Sequence, residues 1–510
     1  MPQSLASRLF GGISLSGILL VVVALQELIL VPVYLLHWGP AIYRDWVVMA
    51  AMAEFLALLD LGMQVYFGNV LMQRYSSGDI KGYRKVQAEA AGVYLGLVLI
   101  GMTVVGAFFA FSGESVRTEL LGVDDPETLA GFHWLALGVV FRLPLGLFVG
   151  AYRARGEPQR AVIFSLVQTV SRIAVIAIPI LLGVGPEGVA IAVVVQGLAM
   201  AAVALWDQRA RYDEHWPRPT LPEPGALKTA LALGGGYNLH ALAVTLNVQG
   251  MVLVVSHLAV DSLSLIVFTT MRTLTGLGPQ VGVQLAAMVG IEQSREQGAG
   301  RAENLLRLHR FVLRLSAAVT GAVAGLLLVV GPDLVAVWTH GKIEFDSALA
   351  LAFLVAGMLS APMRAAGHLF KFTNRPAVLV WSFSLQALIA LSVAFVLVPR
   401  LGVLGAGLAL VIADLVSMVG LMGARVARAV GDHWPRQTLV SLAFNSGFLI
   451  AALLFAGGAH HLLGGGSWWR VIVVSFLCAS ACLPLAWFFA LEARERQRFR
   501  DIVPGFRREG

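Results

Sequence analysis

The stretch KGYRKVQAEAAGVYLGLVLIGMTVVGAFFAFS, residues 81–112, decides the fold class. It begins with three basic residues in five positions and, after Glu89, continues as an uncharged, largely apolar run of roughly 20 residues. A helix of that length crosses a hydrocarbon core about 30 Å thick, because each residue adds about 1.5 Å. The stretch therefore predicts a membrane-spanning helix with a basic cytoplasmic end.

Similar runs follow one another along the whole chain. The chain has 510 residues, of which 58% are hydrophobic and 13% charged, whereas about a quarter of the residues of a soluble protein are charged. No run alternates at period two as a barrel strand would, and lipid cannot satisfy an open backbone, so helices are predicted. We predict an all-α integral membrane protein of about fourteen transmembrane helices. The predicted spans are 10–36, 45–69, 88–112, 128–150, 161–183, 188–206, 229–257, 263–291, 309–331, 348–370, 378–398, 403–424, 439–457 and 470–490.

The placement of the basic residues sets the orientation. If the amino terminus is cytoplasmic, the loops on that side hold 28 of the 37 Lys and Arg residues and the opposite loops hold 5. This bias is the positive-inside pattern, and it predicts that both termini are cytoplasmic. The net charge of +7 is accounted for by these loops, so we predict no nucleic-acid partner.

A proline-rich stretch, PRPTLPEPG at 217–225, divides the first twelve spans into two groups of six. The predicted organisation is an amino-terminal lobe at 1–206, a cytoplasmic linker at 207–228, a carboxy-terminal lobe at 229–424, spans 13 and 14 within 425–490, and a basic cytoplasmic tail at 491–510.

The two groups of six spans have the features of a repeat. The interval from Pro144 to Pro362 equals the interval from Pro158 to Pro376, and Gln168 and Gln386 are separated by the same interval. We call this common interval the repeat offset. Because six is an even number, both copies share one orientation, and a symmetry axis along the membrane normal is expected.

Four arginines lie inside the predicted spans: Arg142, Arg172, Arg272 and Arg364. A charged residue at the bilayer centre costs about 2.5–3.5 kcal/mol even on the lenient insertion scale, so such residues are expected to face a polar interior. In span 8 the polar residues that share a helix face with Arg272 are Thr269, Thr273, Gly276, Gln280 and Gln284. In span 4, Arg142 precedes Pro144, where a kink frees backbone groups to line a cavity.

The other arginines have polar neighbours too. Ser165 and Gln168 share a face with Arg172, and Ser360 shares one with Arg364. Arg364 lies near the cytoplasmic end of its span, so snorkelling to the interface is an open alternative. In span 7, His240 and Asn247 also share a face, although a lone membrane histidine is more often a packing residue. The predicted polar lining of the cavity is Gln168, Thr269, Thr273, Gln280, His240 and Asn247.

The guanidinium group predicts an anionic ligand. Its planar fork forms bidentate charged hydrogen bonds and keeps its proton, which suits phosphate or pyrophosphate. We therefore predict that the four arginines bind an anionic part of the substrate. Four acidic residues in the spans, Glu27, Glu54, Asp60 and Asp414, either pair with arginines or bind a coupling cation, H⁺ or Na⁺.

No enzyme signature is recognisable. The sequence contains no P-loop, and its GGG at 234–236 lies within a span. Cys478 and Cys482 are one helical turn apart in the last span, where small packing residues are the favoured interpretation over a metal or redox pair. We predict a transporter that needs no cofactor beyond the coupling cation, and no metal site.

Two stretches carry a family resemblance: YRDWVVMAAMAEFLALLDLGMQVYFGNVLMQRYSSGD at 43–79 and TTMRTLTGLGPQVGVQLAAMVGIEQSREQG at 269–298. With the six-plus-six arrangement, they resemble the oligosaccharide (Wzx-type) lipid flippases of the multidrug/oligosaccharidyl-lipid/polysaccharide (MOP) superfamily, which includes the MATE drug exporters and the lipid II flippases. The resemblance implies a V-shaped bundle of two lobes around a cationic central cavity. It also implies that Arg142 and Arg272 match cavity arginines, and that Asp60 matches the acidic residue of the second span.

The implied function is a flippase of the bacterial inner membrane. It would move undecaprenyl-pyrophosphate-linked oligosaccharide from the cytoplasmic to the periplasmic leaflet by alternating access, for O-antigen, lipopolysaccharide or exopolysaccharide biosynthesis. The implied partners are the lipid-linked oligosaccharide, membrane lipids, a polysaccharide polymerase and its chain-length machinery. Spans 13 and 14 exceed the twelve of many relatives and either form a lipid-tail groove or broaden the lipid-facing surface.

Three alternatives are open. A cation-coupled MATE-type exporter would favour acidic and aromatic cavity residues, and a lipid II flippase would carry a related pyrophosphate lipid. A non-transporting scaffold predicts that the arginines pair with the four acidic residues and leave no cavity.

Overall fold

The structure is a computed structural model that describes residues 5–123, 125–212, 218–259, 262–298, 300–373, 375–490 and 496. These residues form helices joined by turns, with no strand among them. The predicted all-α membrane fold is therefore confirmed. The predicted basic tail, 491–510, lies outside the described residues except for Arg496.

Most of the predicted spans are long apolar helices. Within the described ranges, eleven helices are long and apolar enough to cross a membrane, or twelve if the bent pair Gly39–Asp60 and Met63–Ser76 is one span. The two remaining predictions, spans 1 and 8, fall on helices Leu5–His37 and Ser262–Gly298, which are outside that set. On the first, the apolar helix Val21–His37 is shorter than a full span; the second contains Arg272 and its row of Thr, Gly and Gln residues.

The chain forms two compact units, Met1–His257 and Leu258–Gly510. The helices of the first unit are α1 (Leu5–His37), α2 (Gly39–Glu54), α3 (Met63–Ser76), α4 (Ile80–Phe111), α5 (Glu114–Leu121), α6 (Pro126–Arg142), α7 (Leu145–Ala154), α8 (Pro158–Leu181), α9 (Pro186–Arg211), α10 (Pro224–Thr245) and α11 (Met251–Leu258), whose last residue already belongs to the second unit. The helices of the second unit are α12 (Ser262–Gly298), α13 (Ala302–Trp338), α14 (Ser347–Phe372), α15 (Pro376–Leu401), α16 (Val403–Asp414), α17 (Gly423–Val430), α18 (Trp434–Leu463) and α19 (Trp468–Leu485).

The predicted linker is partly helical. Helix α9 continues to Arg211 and α10 begins at Pro224. Between them, the described residues 218–223 are irregular, and the Thr220 N–H donates to the carbonyl of Ala88 at 3.0 Å. This segment therefore lies against α4. The first compact unit contains predicted spans 1–7. The division into two lobes of six spans rests on the sequence repeat and stays a prediction.

Prolines begin many of the helices. A first-turn proline lacks only an N–H that has no helical partner, and its fixed φ suits the helix. Pro158 and Pro376, which the repeat offset relates, open α8 and α15. Of the other related pair, Pro144 interrupts span 4 between α6 and α7, whereas Pro362 lies inside the continuous helix α14.

Span 2 is also interrupted. A short 3₁₀ helix, Phe55–Asp60, follows α2, and Leu61 and Gly62 then adopt positive φ values of 52° and 73°. The chain bends by 42° at this point. Gly62 packs against Gly234 of α10, where an added Cβ would lie 2.1 Å from the Gly234 carbonyl oxygen. Only glycine fits this backbone conformation and this contact together.

Two π-helical segments interrupt spans 7 and 12, at Leu246–Gly250 and Leu415–Met422. Each lies beside a predicted site residue: Asn247 is inside the first segment, and Asp414 directly precedes the second. Such segments are common at functional positions in helices.

Candidate functional site

The first unit holds an amino-terminal cluster of Glu27, Glu54, Arg142, Gln168 and Arg172. At its centre, Arg142 Nη2 donates to both carboxylate oxygens of Glu54, at 2.8 and 3.0 Å. The two side chains are 31% and 34% exposed. The break after α6 exposes a backbone group as expected, since the Leu143 carbonyl accepts a hydrogen bond from Gln64 Nε2 at 3.2 Å.

Arg172 completes the charge pattern of the amino-terminal cluster. It projects from α8 and interacts electrostatically with Arg142, Glu54 and Glu27. The cluster therefore contains two guanidinium groups and two carboxyl groups. One of its four helices, α8, also carries Gln168, whose carbonyl accepts from Gln196 Nε2 at 3.2 Å.

Two cavities adjoin the amino-terminal cluster. The larger has a volume of about 310 Å³, and Gln64, Arg142, Arg153 and Gln168 are among its lining residues. The smaller, about 40 Å³, is lined by Glu54, Arg142, Gln168, Arg172 and Gln196 together with apolar residues. The Arg142–Glu54 pair therefore lies at open space, where an incoming anion could compete with the Glu54 carboxylate.

The second unit holds a carboxy-terminal cluster of Arg272, Ser360, Arg364, Gln386 and Asp414. Arg364 Nη2 lies 3.8 Å from Asp414 Oδ1, and the Asp414 side chain is only 4% exposed. Gln386 and Ser360 both donate hydrogen bonds to the Asp414 carboxylate. A buried carboxylate needs such donors, because burial removes its hydration.

Arg272 joins the carboxy-terminal cluster through electrostatic interactions with Arg364 and Asp414. Its guanidinium carbon lies 5.8 Å from the centre of the Phe268 ring, and that of Arg364 lies 5.5 Å from the Phe383 ring. Aromatic faces support cations at such distances. The cluster contains two guanidinium groups and one carboxyl group.

The repeat offset relates some positions of the two clusters. It matches Glu54 to Arg272, Gln168 to Gln386, and Gln196 to Asp414. Of the three pairs, only Gln168 and Gln386 are the same type of residue. The first cluster takes its paired carboxylate from span 2, and Gln196 of span 6 lies beside it, whereas the second cluster takes an arginine from span 8 and its carboxylate from span 12.

The other predicted site residues differ in their hydrogen-bond partners and in their burial. Asp60 lies apart from the amino-terminal cluster's ion pair and accepts a hydrogen bond from Tyr94 Oη. Thr269 donates to the Leu265 carbonyl of its own helix at 3.0 Å, and Gln280 is exposed. Thr273 and His240 are half-buried, and Asn247 is buried.

Sequence reasoning missed Gln64, Gln196 and the contact of Gln386 with Asp414. Glutamines in membrane helices are common enough that composition alone does not single them out. The repeat offset was the available signal, because it places Gln196 at the position that corresponds to Asp414.

Neither a family profile nor a curated protein matches the chain. Solved structures do. A multidrug resistance MATE family transporter of the MOP superfamily, in an inward-facing conformation, is 18% identical with a TM-score of 0.65, over 80% of this chain and 95% of that chain. The lipid II flippase MurJ, in an inward closed conformation, is 11% identical with a TM-score of 0.67, over 94% and 98%.

A third similar structure is a MOP superfamily transporter from Pyrococcus furiosus, described as having a binding pocket of reverse polarity that suggests a different function. It is 18% identical with a TM-score of 0.57, over 84% of this chain and 96% of that chain. At these identities the similarity shows the fold, and this chain has the fold of MOP-superfamily transporters.

Proposed function

We propose that the protein is a flippase of the bacterial inner membrane that moves undecaprenyl-pyrophosphate-linked oligosaccharide to the periplasmic leaflet by alternating access, with both termini cytoplasmic. The observation that carries the proposal is the cavity of about 310 Å³ beside Arg142 in the first unit. The Arg142 guanidinium donates to Glu54 through Nη2 at the edge of open space, and such a charged donor also suits a phosphate oxygen.

The charge of the clusters supports an anionic substrate. Each contains two arginines, and the carboxy-terminal cluster has one more guanidinium than carboxyl group. Ion pairing alone, as in a scaffold, does not explain why the Arg142–Glu54 pair adjoins open volume.

An apolar cavity in the first unit supports a lipid-linked substrate. It has a volume of about 400 Å³, and its lining includes Phe55, Leu59, Phe108 and Phe132. Ala57 lines the polar cavity of about 310 Å³, and its neighbours Leu56 and Leu58 line the apolar one, so the two cavities lie near each other within one unit. A pyrophosphate lipid has the same two parts.

The test is the loss of surface polysaccharide in arginine variants. Arg142→Ala, Arg172→Ala and Arg272→Ala are each expected to reduce surface polysaccharide at least about tenfold, because a charge-assisted bond contributes about 1.5–3 kcal/mol. Arg400→Ala is the matched control, since Arg400 is exposed and donates to the carbonyl of Val396 in its own helix at 2.9 Å. Full activity of all three variants at normal expression would refute the proposal.

The second candidate is a cation-coupled MATE-type exporter. Asp60 favours it, because this half-buried carboxyl is held by Tyr94 and by the Gln64 backbone N–H rather than by a guanidinium. The exporter predicts that Asp60→Asn abolishes drug resistance conferred by the protein while surface polysaccharide is unchanged.

A further inference from the structure

A basic cavity, distinct from both clusters, lies between the amino-terminal parts of α13 and α18. Its volume is about 240 Å³. The residues that define its character are Arg310, Arg314, Asp432, Arg436, Val440 and Phe444. All belong to the second unit, so its walls are fixed within one compact body.

The cavity is a wedge between two helices that converge. Farther along, Gly321 of α13 meets α18 so closely that an added Cβ would lie 2.2 Å from the Asn445 carbonyl oxygen. Gly325 makes a similar contact with Leu449, at 2.4 Å. From Arg310 to Gly321 the helix rises about 16 Å, so the space narrows from the charged ends toward this glycine contact.

The charged end of the wedge is basic and ordered. Arg310 donates from Nε and Nη2 to the two carboxylate oxygens of Asp432, at 3.0 Å each. Arg314 lies one turn farther along the same face of α13, and Arg436 lies on the opposite wall. Three guanidinium groups and one carboxylate therefore line the cavity.

The inner end of the wedge is apolar. Val440 and Phe444 follow Arg436 at intervals of four residues, so the same face of α18 changes from basic to apolar. Gln437 connects this wall, α18, to α13 and α17. Its side chain forms a hydrogen bond with His309 at 3.0 Å and donates to the Gly423 carbonyl at 2.6 Å. A basic mouth with an apolar interior fits a molecule that joins a phosphate to a hydrocarbon chain.

We propose that this cavity binds an anionic membrane phospholipid, with its phosphate between Arg314 and Arg436 and the start of an acyl chain against Val440 and Phe444. Basic pockets between helices at a membrane surface bind such headgroups. Free phosphate shares the charge but would leave the apolar walls unfilled. The proposal is independent of which substrate the protein transports.

The experiment measures thermal unfolding of the purified full-length protein in detergent with added phosphatidylglycerol, phosphatidylcholine or inorganic phosphate. Phosphatidylglycerol is expected to raise the unfolding temperature more than either alternative. In Arg314→Gln/Arg436→Gln, the lipid concentration for half the effect is expected to rise at least about tenfold. The matched control is Arg425→Gln/Arg428→Gln, which removes two exposed arginines of the adjacent α17 that do not line the cavity.

A cavity-filling variant keeps the test decisive if the arginine pair is needed for folding. Val440→Phe leaves every charge in place and is expected to weaken the lipid effect, because it occupies the acyl-chain end. Equal stabilisation by phosphatidylcholine, equal stabilisation by inorganic phosphate, or an equal loss in the α17 control would each overturn the proposal.

Discussion

In the amino-terminal cluster the paired carboxylate, Glu54, is about a third exposed and lines the smaller of the two adjoining cavities. In the carboxy-terminal cluster the carboxylate, Asp414, is 4% exposed and is held by Gln386 and Ser360. The repeat offset matches Glu54 to Arg272 and Asp414 to Gln196, so each paired carboxylate corresponds to a residue of another type in the other unit.

The difference in exposure indicates that the paired carboxylates, Glu54 and Asp414, have different roles in the two units. An exposed carboxylate can release its arginine at little cost, because water takes its place. A buried carboxylate cannot, because its loss leaves the groups that donate to it in the interior without an acceptor. We therefore expect Glu54 to exchange with an anion and Asp414 to maintain the structure of its unit.

The largest effect is expected from Asp414→Ala. It should lower the free energy of unfolding by about 3–5 kcal/mol, because it removes the buried acceptor of Gln386 and Ser360 and the countercharge of Arg364. Glu54→Ala should cost about 1 kcal/mol or less. Denaturant unfolding in detergent measures both, and equal losses would show that the two carboxylates are equivalent.

A smaller effect is expected from the glutamines that the repeat relates. Gln386→Ala should cost about 2 kcal/mol, since it removes a donor to a buried carboxylate. Gln168→Ala should cost less than about 1 kcal/mol, because the Gln168 side chain lines the cavities of the first unit. The same unfolding assay compares them, and a larger loss for Gln168→Ala would reverse the proposed roles.

The Arg310–Asp432 pair, outside both clusters, provides a reference for a pair at the membrane surface. Burial raises the pKa of Asp432, but hydrogen bonds from Arg310 and from the His433 N–H outweigh it, and the net pKa is lowered. A lowered folded-state pKa gives stability that is present above the unfolded pKa of about 3.9 and is lost as the pH falls through the folded value.

The wild type should therefore exceed Asp432→Asn in unfolding free energy by about 1–2 kcal/mol at pH 7. The excess should persist down to about pH 5 and shrink below about pH 4. Unfolding curves at several pH values measure it. Arg310→Gln is the control and should remove most of the pH-dependent difference, whereas an excess that is independent of pH would rule out ionisation of Asp432 as its cause.

The smallest effect is expected from Glu54→Gln. Loss of the competing charge should raise the affinity for inorganic pyrophosphate about threefold, which corresponds to roughly 0.6 kcal/mol. Titration calorimetry on the purified protein measures this affinity. A weakened affinity would mean that Glu54 orients Arg142 for the anion instead of competing with it.

The sequence predicts the helices well because the bilayer imposes length and polarity on each one. It also predicts the break before Pro144, which follows from the missing proline N–H. The ion pairs are not readable in this way. Glu54 and Arg142 are 88 residues apart, and no sequence pattern favours Glu54 over the other acidic residues as the partner of Arg142. Gln196 carries no local signal, and its position became informative only through the repeat offset.

The contact between Gly62 and Gly234 has a consequence for biogenesis. Helix α10 packs against the bend of span 2. The first unit, which contains seven spans, is therefore complete only after the seventh has been synthesised. Two separately translated fragments divided between 259 and 262 would each retain the contacts within its own unit. Fragments divided between 212 and 218 would separate Gly62 from Gly234 and leave the bend of span 2 uncovered in the first fragment.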